Sequence, residues 1–175
     1  MDRPRWTDLS TSEPPVGKKM FTIGVISDTH GLLRDEALEA LAGSDAILHA
    51  GDVGGREILE RLSEIAPVHV VRGNTDGGSW ADALPTTEAL SLGGADVYMV
   101  HDIEDLDVDP AGGGFAAVVF GHSHQPTVAE RGGVLFFNPG AAGHRRFRLP
   151  VTVGRLLVAE DGAVEPEIIE LEVES

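Results

Sequence analysis

The amino-acid sequence predicts an α/β fold built from a mixed sheet, or from two stacked sheets, whose late strands are antiparallel. In residues 21–71, three short apolar runs alternate with two segments of helical periodicity, an order typical of parallel strands joined by crossover helices. After residue 86 the apolar runs are separated by glycine-containing turns, which favours antiparallel hairpins. A length of 175 residues suits one hydrophobic core, so we expect a single domain over residues 21–175.

The first half of the chain is predicted to form three strands and two helices. Residues 21–27, 45–49 and 68–71 are short runs of branched and other apolar side chains, as buried strands require. Between them, residues 34–42 and 57–65 place apolar side chains three or four positions apart, the spacing of a helix with one buried face. Each of the three strands stops at a polar turn.

The second half is predicted to be mostly strand, with hairpin turns at glycine pairs and at Asp161-Gly162. The expected strands cover residues 87–92, 97–100, 116–120, 128–137 (as one hairpin), 151–159 and 164–173. Residues 102–114 are acidic and rich in glycine, so no regular helix is expected there.

The composition excludes several kinds of site and partner. Cysteine is absent, which excludes disulfides, thiolate metal sites and cysteine nucleophiles. The formal net charge of −16 disfavours duplex nucleic acid, because its phosphates would be repelled. Residues 1–20 lack the apolar stretch of a secretory signal, and we expect them to be a disordered extension. No run approaches the roughly 18–20 apolar residues of a membrane-spanning helix, so a cytoplasmic protein is expected.

Polar residues follow five of the predicted strands at the point where each strand ends. In α/β sheets the ligand site lies just beyond the carboxyl ends of the strands, so these residues should meet in one crevice. They are Asp28 and His30, Asp52, Asn74, His101, and His122 with His124.

The side chains in this set are those of a metal site. Imidazole, carboxylate and amide oxygen together suit Mn, Fe, Zn, Ni or Co better than Ca or Mg alone. Seven ligands are too many for one tetrahedral ion, but they suit two ions that share a bridging carboxylate. In a strand-like stretch, residues two positions apart point to the same side, so Asp28 with His30, and His122 with His124, are each expected to present two ligands.

Each of these residues taken alone has a simpler explanation. A single histidine is more often a core or surface residue than a ligand, and Asn74 after Gly73 is an ordinary turn residue. The coincidence would have to repeat at five strand ends, however, and buried carboxylates such as Asp28 and Asp52 need a partner. The joint pattern therefore favours the metal site.

The remaining histidines divide into two kinds. His49 and His69 lie in or beside apolar strands and are expected to be core or edge residues with satisfied hydrogen bonds. His144, Arg145 and Arg146 form a basic spot on an acidic chain. That spot is either a solvated loop or a contact for a substrate phosphate, which the planar arginine fork suits.

The motifs at the strand ends resemble those of the calcineurin-like metallophosphoesterases. The matching segments are Asp28-Thr29-His30, Gly51-Asp52, Gly73-Asn74, His101, Gly121-His122-Ser123-His124 and Asn138-Pro139-Gly140. The resemblance is closest to a compact phosphodiesterase branch that also includes the retromer scaffold subunit, and it covers about residues 22–143. It implies a β-sandwich of two mixed sheets flanked by helices.

The same resemblance implies a role for each ligand. One ion would take Asp28, His30, Asp52 and His124, and the other would take Asp52, Asn74, His101 and His122, with Asp52 bridging. Asp52, Asn74 and His101 are expected to be catalytic, and Arg145 and Arg146 to bind substrate.

Three positions depart from the family pattern. Thr75 stands where many members have a histidine that assists the leaving group, so no general acid is expected at that position. Asp102 replaces a usual glycine, and because aspartate tolerates left-handed geometry the turn is expected to survive. Ala141 stands where serine is common.

The expected activity follows from charge. Two divalent ions with Asp28, Asp52 and a bridging hydroxide leave a residual charge of about +1, which attracts a phosphate anion. We expect hydrolysis of a small phosphodiester by metal-bound hydroxide, with Mn expected first and Fe, Zn, Ni or Co as alternatives. The alternatives are a phosphomonoesterase and a non-catalytic, metal-binding scaffold for protein interactions. A scaffold has no physical need of the full ligand set. The expected partner is a small phosphoester rather than duplex nucleic acid or a membrane, and a homo-oligomer is left open.

Overall fold

The computed structural model describes residues 20–173, and within that range the chain forms ten strands, three short α-helices and one 3₁₀ turn. The predicted extension over residues 1–20 lies, apart from Met20, outside the described residues. In chain order the elements are β1 (Phe21–Ile26), α1 (Asp35–Leu41), β2 (Ala46–His49), α2 (Arg56–Ser63), β3 (Val68–Val70), α3 (Ser79–Asp82), β4 (Thr87–Leu92), β5 (Ala95–Val100), the 3₁₀ turn (Ile103–Asp105), β6 (Ala117–Val119), β7 (Thr127–Arg131), β8 (Val134–Asn138), β9 (Thr152–Val158) and β10 (Val164–Glu170).

The strands form two mixed sheets of five strands each. The first sheet has the order β10-β9-β1-β2-β3, and the second has the order β4-β5-β6-β8-β7. In the first sheet, β1, β2 and β3 are parallel, while β9 and β10 are antiparallel additions at one edge. In the second sheet, β5, β6 and β8 are parallel, with β4 and β7 antiparallel at the edges. The predicted α/β class, the early parallel strands and the two mixed sheets are confirmed. The expectation that the late strands are antiparallel was wrong for β5, β6 and β8, which pair in parallel because β5 is joined to β6, and β6 to β8, through a longer connection than a hairpin turn.

The two sheets bury one apolar face each against the other. Side chains alternate across a strand, so every second residue of β1 points into this layer, including Ile23 and Val25, which are fully buried. Met99 of β5 and Phe137 of β8 meet them from the opposite sheet. This layer is the main core, and it sets the distance between the two rows of strand ends.

The outer faces of the sheets are covered in different ways. Helices α1 and α2 lie on the first sheet and bury Leu41 and Leu62 there, which confirms the two amphipathic helices. The second sheet is covered by the acidic segment after β5, which packs Ile103, Leu106 and Phe115 against it. The segment after β5 therefore covers this face of the sheet with only a few apolar side chains, although it contains no regular helix.

Some element boundaries differ from those predicted. Both long helices are shorter, because residue 34 is the extended N-cap of α1 and Glu64 is the C-cap of α2. The four-residue helix α3 was not predicted, since its sequence follows Gly77-Gly78 and has no apolar period of its own. Among residues 20–173 no helix combines the length and hydropathy needed to cross a membrane.

Candidate metal centre

The carboxyl ends of five strands meet at one edge of the sandwich. The loops after β1, β2 and β3 come from the first sheet, and the segments after β5 and β6 come from the second. The structure brings together here all seven residues predicted as metal ligands, in two adjoining groups. Their role as ligands stays a prediction, while their geometry can be described directly.

The first group contains Asp28, His30 and His124, whose possible ligand atoms all lie within 4.8 Å of one another. The Nε2 atoms of His124 and His30 lie 3.4 Å and 3.7 Å from Asp28 Oδ1. The two Nε2 atoms are 3.3 Å apart. Two nitrogens and one carboxylate oxygen therefore converge on a single point.

The second group contains Asp52, His101 and His122, again within 4.8 Å, and Asn74 adjoins it. His101 Nε2 lies 3.2 Å from Asp52 Oδ2. The amide oxygen of Asn74 lies 3.0 Å from His101 Nε2 and 3.2 Å from His122 Nδ1. This group presents two nitrogens, a carboxylate and an amide oxygen.

Asp52 lies between the two groups. Its Oδ2 atom is 3.6 Å from His30 Nε2 in the first group and 3.2 Å from His101 Nε2 in the second. Its other oxygen accepts the backbone N–H of Thr75 at 2.9 Å, which fixes the orientation of the carboxylate. Asp52 is therefore the carboxylate placed to serve both groups.

The backbone at these residues is left-handed rather than strand-like, which corrects the sequence-based explanation of their shared orientation. Asp28 and His30 have φ of 56° and 47°, and His122 and His124 have φ of 74° and 65°. The sharp turns at the strand ends, rather than the pleat of a strand, point each pair into the crevice. Asp52, with φ of 55°, follows the same pattern.

One buried oxygen has no hydrogen-bond donor within the described residues. Asp28 Oδ2 accepts from the Ser27 hydroxyl at 2.6 Å and from the His122 backbone N–H at 3.0 Å. Asp28 Oδ1 is buried without a hydrogen-bond partner and faces the histidine nitrogens of the first group. A buried carboxylate oxygen costs free energy when unpaired, so this atom fits a bound cation.

The ionisation of the site also suits a cation. Burial raises the pKa of Asp28, but contacts with His124, His30 and Ser27 outweigh it and hold the pKa well below its usual range. Burial likewise opposes ionisation of Asp52, yet His101 and the Thr75 amide leave its pKa lowered. Both carboxylates are therefore charged at neutral pH and ready to bind metal.

The two histidines that contact these carboxylates hold protons more tightly than usual. Asp28 raises the pKa of His30, against burial and the charge of Arg146. For His101, burial lowers the pKa, but Asp52 and the Ala50 carbonyl more than compensate. A metal must displace these protons, so its affinity is expected to fall as the pH falls.

The ring of His101 is held in the orientation that a ligand needs. Its Nδ1–H donates to the Ala50 carbonyl at 2.7 Å. A carbonyl only accepts, so the proton is on Nδ1, and the lone pair of the neutral ring is on Nε2, which faces Asp52 and Asn74.

His49 contacts two of the ligand loops from within the core, where it is fully buried as predicted. The Gly51 N–H donates to His49 Nδ1 at 3.1 Å, and the Thr29 hydroxyl donates to the Val53 carbonyl at 2.7 Å. The remaining contact, 3.0 Å between His49 Nε2 and Thr29 Oγ1, is therefore donated by the ring. Burial lowers the pKa of His49 to about 4, so the ring is neutral and ties the first two ligand loops together.

Asp76 is a supporting residue that sequence reasoning missed. Its two oxygens accept the backbone N–H groups of Gly73, Val53 and Gly54 at 2.9, 3.2 and 3.1 Å. These groups flank Asn74 and Asp52, so one carboxylate joins two ligand loops. The only signal in the sequence was an aspartate three residues after a glycine in a turn-forming stretch.

Asn138 holds the loop that carries His122 and His124 through hydrogen bonds, as Asp76 holds the loops that carry Asp52 and Asn74. Its amide nitrogen donates to the Gly121 carbonyl at 3.1 Å and to the Ser123 hydroxyl at 3.2 Å. Its oxygen accepts the Gly140 N–H at 2.8 Å. This explains the Asn138-Pro139-Gly140 motif, since a buried amide with all three contacts holds the turn that carries His122 and His124.

Glycines permit two close approaches between ligand loops. A Cβ atom at Gly73 would overlap the backbone nitrogen and carboxylate of Asp52. A Cβ atom at Gly121 would overlap the side chains of Ser27 and Asp28. The glycines of the Gly-Asn and Gly-His-Ser-His motifs are thus required by packing between loops.

The departures from the family pattern have local explanations. Asp102 is extended, with φ of −112°, so left-handed geometry is not needed there. Its side chain accepts the Glu104 N–H and lies 3.6 Å from His122 Nε2. Ala141 is buried and forms an isolated β-bridge with Val151. Thr75 is exposed, and its backbone N–H donates to the Asp52 carboxylate.

The other predicted contacts are placed at the edge of the site. His144, Arg145 and Arg146 are exposed in the loop that begins at Gly143, whose backbone packs against Thr29. Their contact with substrate stays a prediction. His69 is half-buried in β3, as expected for a strand histidine.

A cleft of about 580 Å³ opens beside the second group. It is bordered by Asn74 and His101, and its wall is mainly acidic, with Asp102, Asp105 and Asp107 beside one arginine, Arg72. The mainly acidic cleft therefore adjoins the second group, whereas the arginine-bearing loop adjoins the first.

Comparisons with known proteins agree with this architecture. Residues 21–161 match the Calcineurin-like phosphoesterase superfamily domain. A probable metallophosphoesterase of Methanocaldococcus jannaschii is 34% identical over 137 residues, covering 68% of this chain and 67% of the relative. Phosphodiesterase YfcE of Escherichia coli K12 is 28% identical over 167 residues, covering 78% of this chain and 88% of the relative. The structure of vacuolar protein sorting 29 from Cryptosporidium parvum has a TM-score of 0.69 at 21% identity, covering 88% of this chain and 99% of that one, a likeness of fold.

Proposed function

The chain belongs to the calcineurin-like phosphoesterase superfamily, and we propose that it is a phosphodiesterase that hydrolyses a small phosphodiester with the help of two divalent ions. One observation supports this most directly. Two adjoining donor groups share Asp52 between them, and the first contains a buried carboxylate oxygen with no protein donor among the described residues.

Seven residues would hold the two ions. Asp28, His30, Asp52 and His124 suit the first ion, and Asp52, Asn74, His101 and His122 suit the second, since this division follows the two groups. Nitrogen and oxygen donors together suit Mn, with Fe, Zn, Ni or Co as alternatives. When bound, the ions would lower the pKa of a shared water and neutralise charge on the phosphate.

The chain's own residues orient these donors. The Ala50 carbonyl fixes the tautomer of His101, and the Thr75 amide fixes the carboxylate of Asp52. Arg145 and Arg146, on the loop beside the first group, are proposed to bind a phosphate oxygen through their planar guanidinium groups. No histidine stands at Thr75, so the leaving group departs without a general acid from that position.

The choice of a diester over a monoester is supported by the relative YfcE, which carries the name phosphodiesterase. A second candidate is a non-catalytic scaffold, favoured by the likeness of fold to vacuolar protein sorting 29. The complete donor set weighs against it, because a surface used only for binding protein needs no buried, charged metal site. The single domain over residues 21–175, the cytoplasmic location and any homo-oligomer stay predictions.

Asp52→Asn tests the proposed activity. The variant keeps the size of the side chain but removes the charge that serves both groups, so hydrolysis of bis(p-nitrophenyl) phosphate with Mn should fall at least 10²-fold. Asp107→Asn, an exposed acid in the adjoining cleft, is the matched control and should keep wild-type rates. Chelation should abolish the activity and added Mn should restore it. Full activity in a folded Asp52→Asn protein would contradict the mechanism.

A further inference from the structure

The loop over residues 143–150 carries an exposed aromatic side chain among arginines. Phe147 is 89% exposed, whereas the other exposed large apolar residues within the described range reach at most 51%. Arg145 and Arg146 precede it and Arg148 follows it. A single exposed apolar residue is ordinary on a protein surface, so the case for a partner rests on the backbone of Phe147 and on its neighbours.

The backbone holds Phe147 at the tip of a turn. The Leu149 N–H donates to the Arg146 carbonyl at 3.0 Å, which closes a four-residue turn. Phe147 has φ of 55°, a left-handed conformation that is unfavourable for a bulky residue. Glycine or asparagine would adopt this conformation at lower cost, so stability alone does not explain an aromatic residue there.

The loop is anchored beside the first metal-ligand group. The Ala142 N–H donates to the Ser27 carbonyl at 3.0 Å, and Arg34 Nε donates to the Gly143 carbonyl at 3.1 Å. Gly143 packs so closely on Thr29 that a Cβ atom would overlap the Thr29 carbonyl. The turn therefore starts at the metal centre and projects from it.

The charges around the centre are unevenly distributed. Within residues 20–173, none of the three arginines beside Phe147 has a carboxylate within 4.0 Å, although the chain as a whole carries −16. The cleft beside the second group is lined by Asp102, Asp105 and Asp107, and its one arginine, Arg72, is paired with Asp82. An anionic group that extends from the centre is attracted towards Phe147 and repelled from the cleft.

We propose that Phe147 and its neighbouring arginines bind the nucleoside side of the substrate, so that the phosphodiester hydrolysed is a nucleotide ester. A base has a planar face that stacks on an exposed aromatic ring, and the ester phosphate meets guanidinium groups. Arginines alone would suit any phosphate; the exposed ring selects a planar partner. This substrate class rests on the proposed function above.

The reaction that tests the proposal is hydrolysis of thymidine 5′-(p-nitrophenyl) phosphate. Water adds to phosphorus, the bond from phosphorus to the phenolic oxygen breaks, and thymidine 5′-monophosphate and p-nitrophenol are formed without any redox step. Methyl p-nitrophenyl phosphate has the same leaving group and no base. The ratio of kcat/KM for the two esters isolates the contribution of the nucleoside.

Phe147→Ala should lower this ratio about tenfold, in the range expected for loss of one base–aromatic stack. Phe147→Trp should keep it, and Val128→Ala, another exposed apolar residue on β7, is the control that should not change it. An unchanged ratio in Phe147→Ala would overturn the proposal. So would a dimeric wild type that becomes monomeric in Phe147→Ala by light scattering, because the ring would then be an interface between copies.

A binding measurement separates this proposal from the proposed function. Thymidine 5′-monophosphate, titrated calorimetrically into the Mn-loaded protein, should bind at least tenfold more tightly than inorganic phosphate, and Phe147→Ala should remove that difference. If neither ester is hydrolysed, the proposed function fails while this titration still decides the role of Phe147. Equal affinity for the two ligands in the wild type would overturn that role.

Discussion

Backbone strain is concentrated at the candidate ligands. Six non-glycine residues within the described range have positive φ, and five of them are predicted metal ligands, Asp28, His30, Asp52, His122 and His124. Such conformations cost about 1–3 kcal/mol each and persist only where surrounding contacts enforce them. Asp76, His49 and Asn138 supply those contacts through backbone groups of the ligand loops. The strain is thus a cost of pointing short loops into one crevice.

Asp76→Ala should separate the loops that carry Asp52 and Asn74. Three backbone N–H groups lose a charged acceptor, so the free energy of unfolding should fall by about 3 kcal/mol, and Mn affinity should fall with it. Denaturant unfolding and a Mn titration measure the two effects. Asp107→Ala removes an exposed acid of the same cleft and should change stability by less than about 0.5 kcal/mol. Unaltered stability and Mn affinity in Asp76→Ala would show that the two loops keep their positions without the Asp76 carboxylate.

The absence of a histidine at Thr75 predicts how the proposed reaction depends on the leaving group. The side chain is exposed and carries a hydroxyl rather than an imidazole, so no acid protonates a departing alkoxide from this position. Aryl diesters should therefore react far faster than alkyl diesters. Thr75→His should recover part of the 10²–10⁴-fold that a positioned acid contributes, for alkyl esters only. A rate series across leaving groups measures this. A flat wild-type series with chemistry rate-limiting would point to another acid, and His144→Ala would be examined next.

At the scale of the elements, strand ends and the loops after them decide what could be predicted. The seven ligand candidates could be found because each stands within four residues of the end of an apolar run. Asp76 could not, since two of its three partners lie 22 and 23 residues away and are reached only when β2 and β3 pair. The expected strand-like geometry at Asp28 and His122 was wrong for a related reason: contacts with neighbouring loops set φ there. Helix α3 could not be predicted either, because its four residues are too few to show the helical spacing of apolar side chains.

Gly73→Ala tests the contact between the loops after β2 and β3. The added methyl group would overlap Asp52, so the loops must separate, and we expect a loss of at least about 2 kcal/mol in stability together with loss of activity. Gly77→Ala is the control, because a methyl group there meets no atom within 4 Å and its φ is not left-handed. Thermal and denaturant unfolding of the two variants should differ clearly. Similar stability would mean that the loops can move apart without cost.

At the scale of the whole molecule, two sheets packed face to face bring ten strands to two opposite edges, and the ligand loops from both sheets share one of them. The first donor group draws on β1 and β6, and the second draws on β2, β3, β5 and β6. Neither sheet alone carries a complete group. The centre therefore depends on the core between the sheets, which sets their separation.

The number of ions bound per chain tests the central claim most directly. Native mass spectrometry of Mn-reconstituted protein should show two ions in the wild type. His124→Ala and His122→Ala, which remove one ligand from the first and second group, should each retain about one, and His144→Ala should retain two. Circular dichroism would establish that each variant is folded. A wild type that saturates with a single ion, or variants of both groups that lose the same ion, would contradict a dinuclear centre.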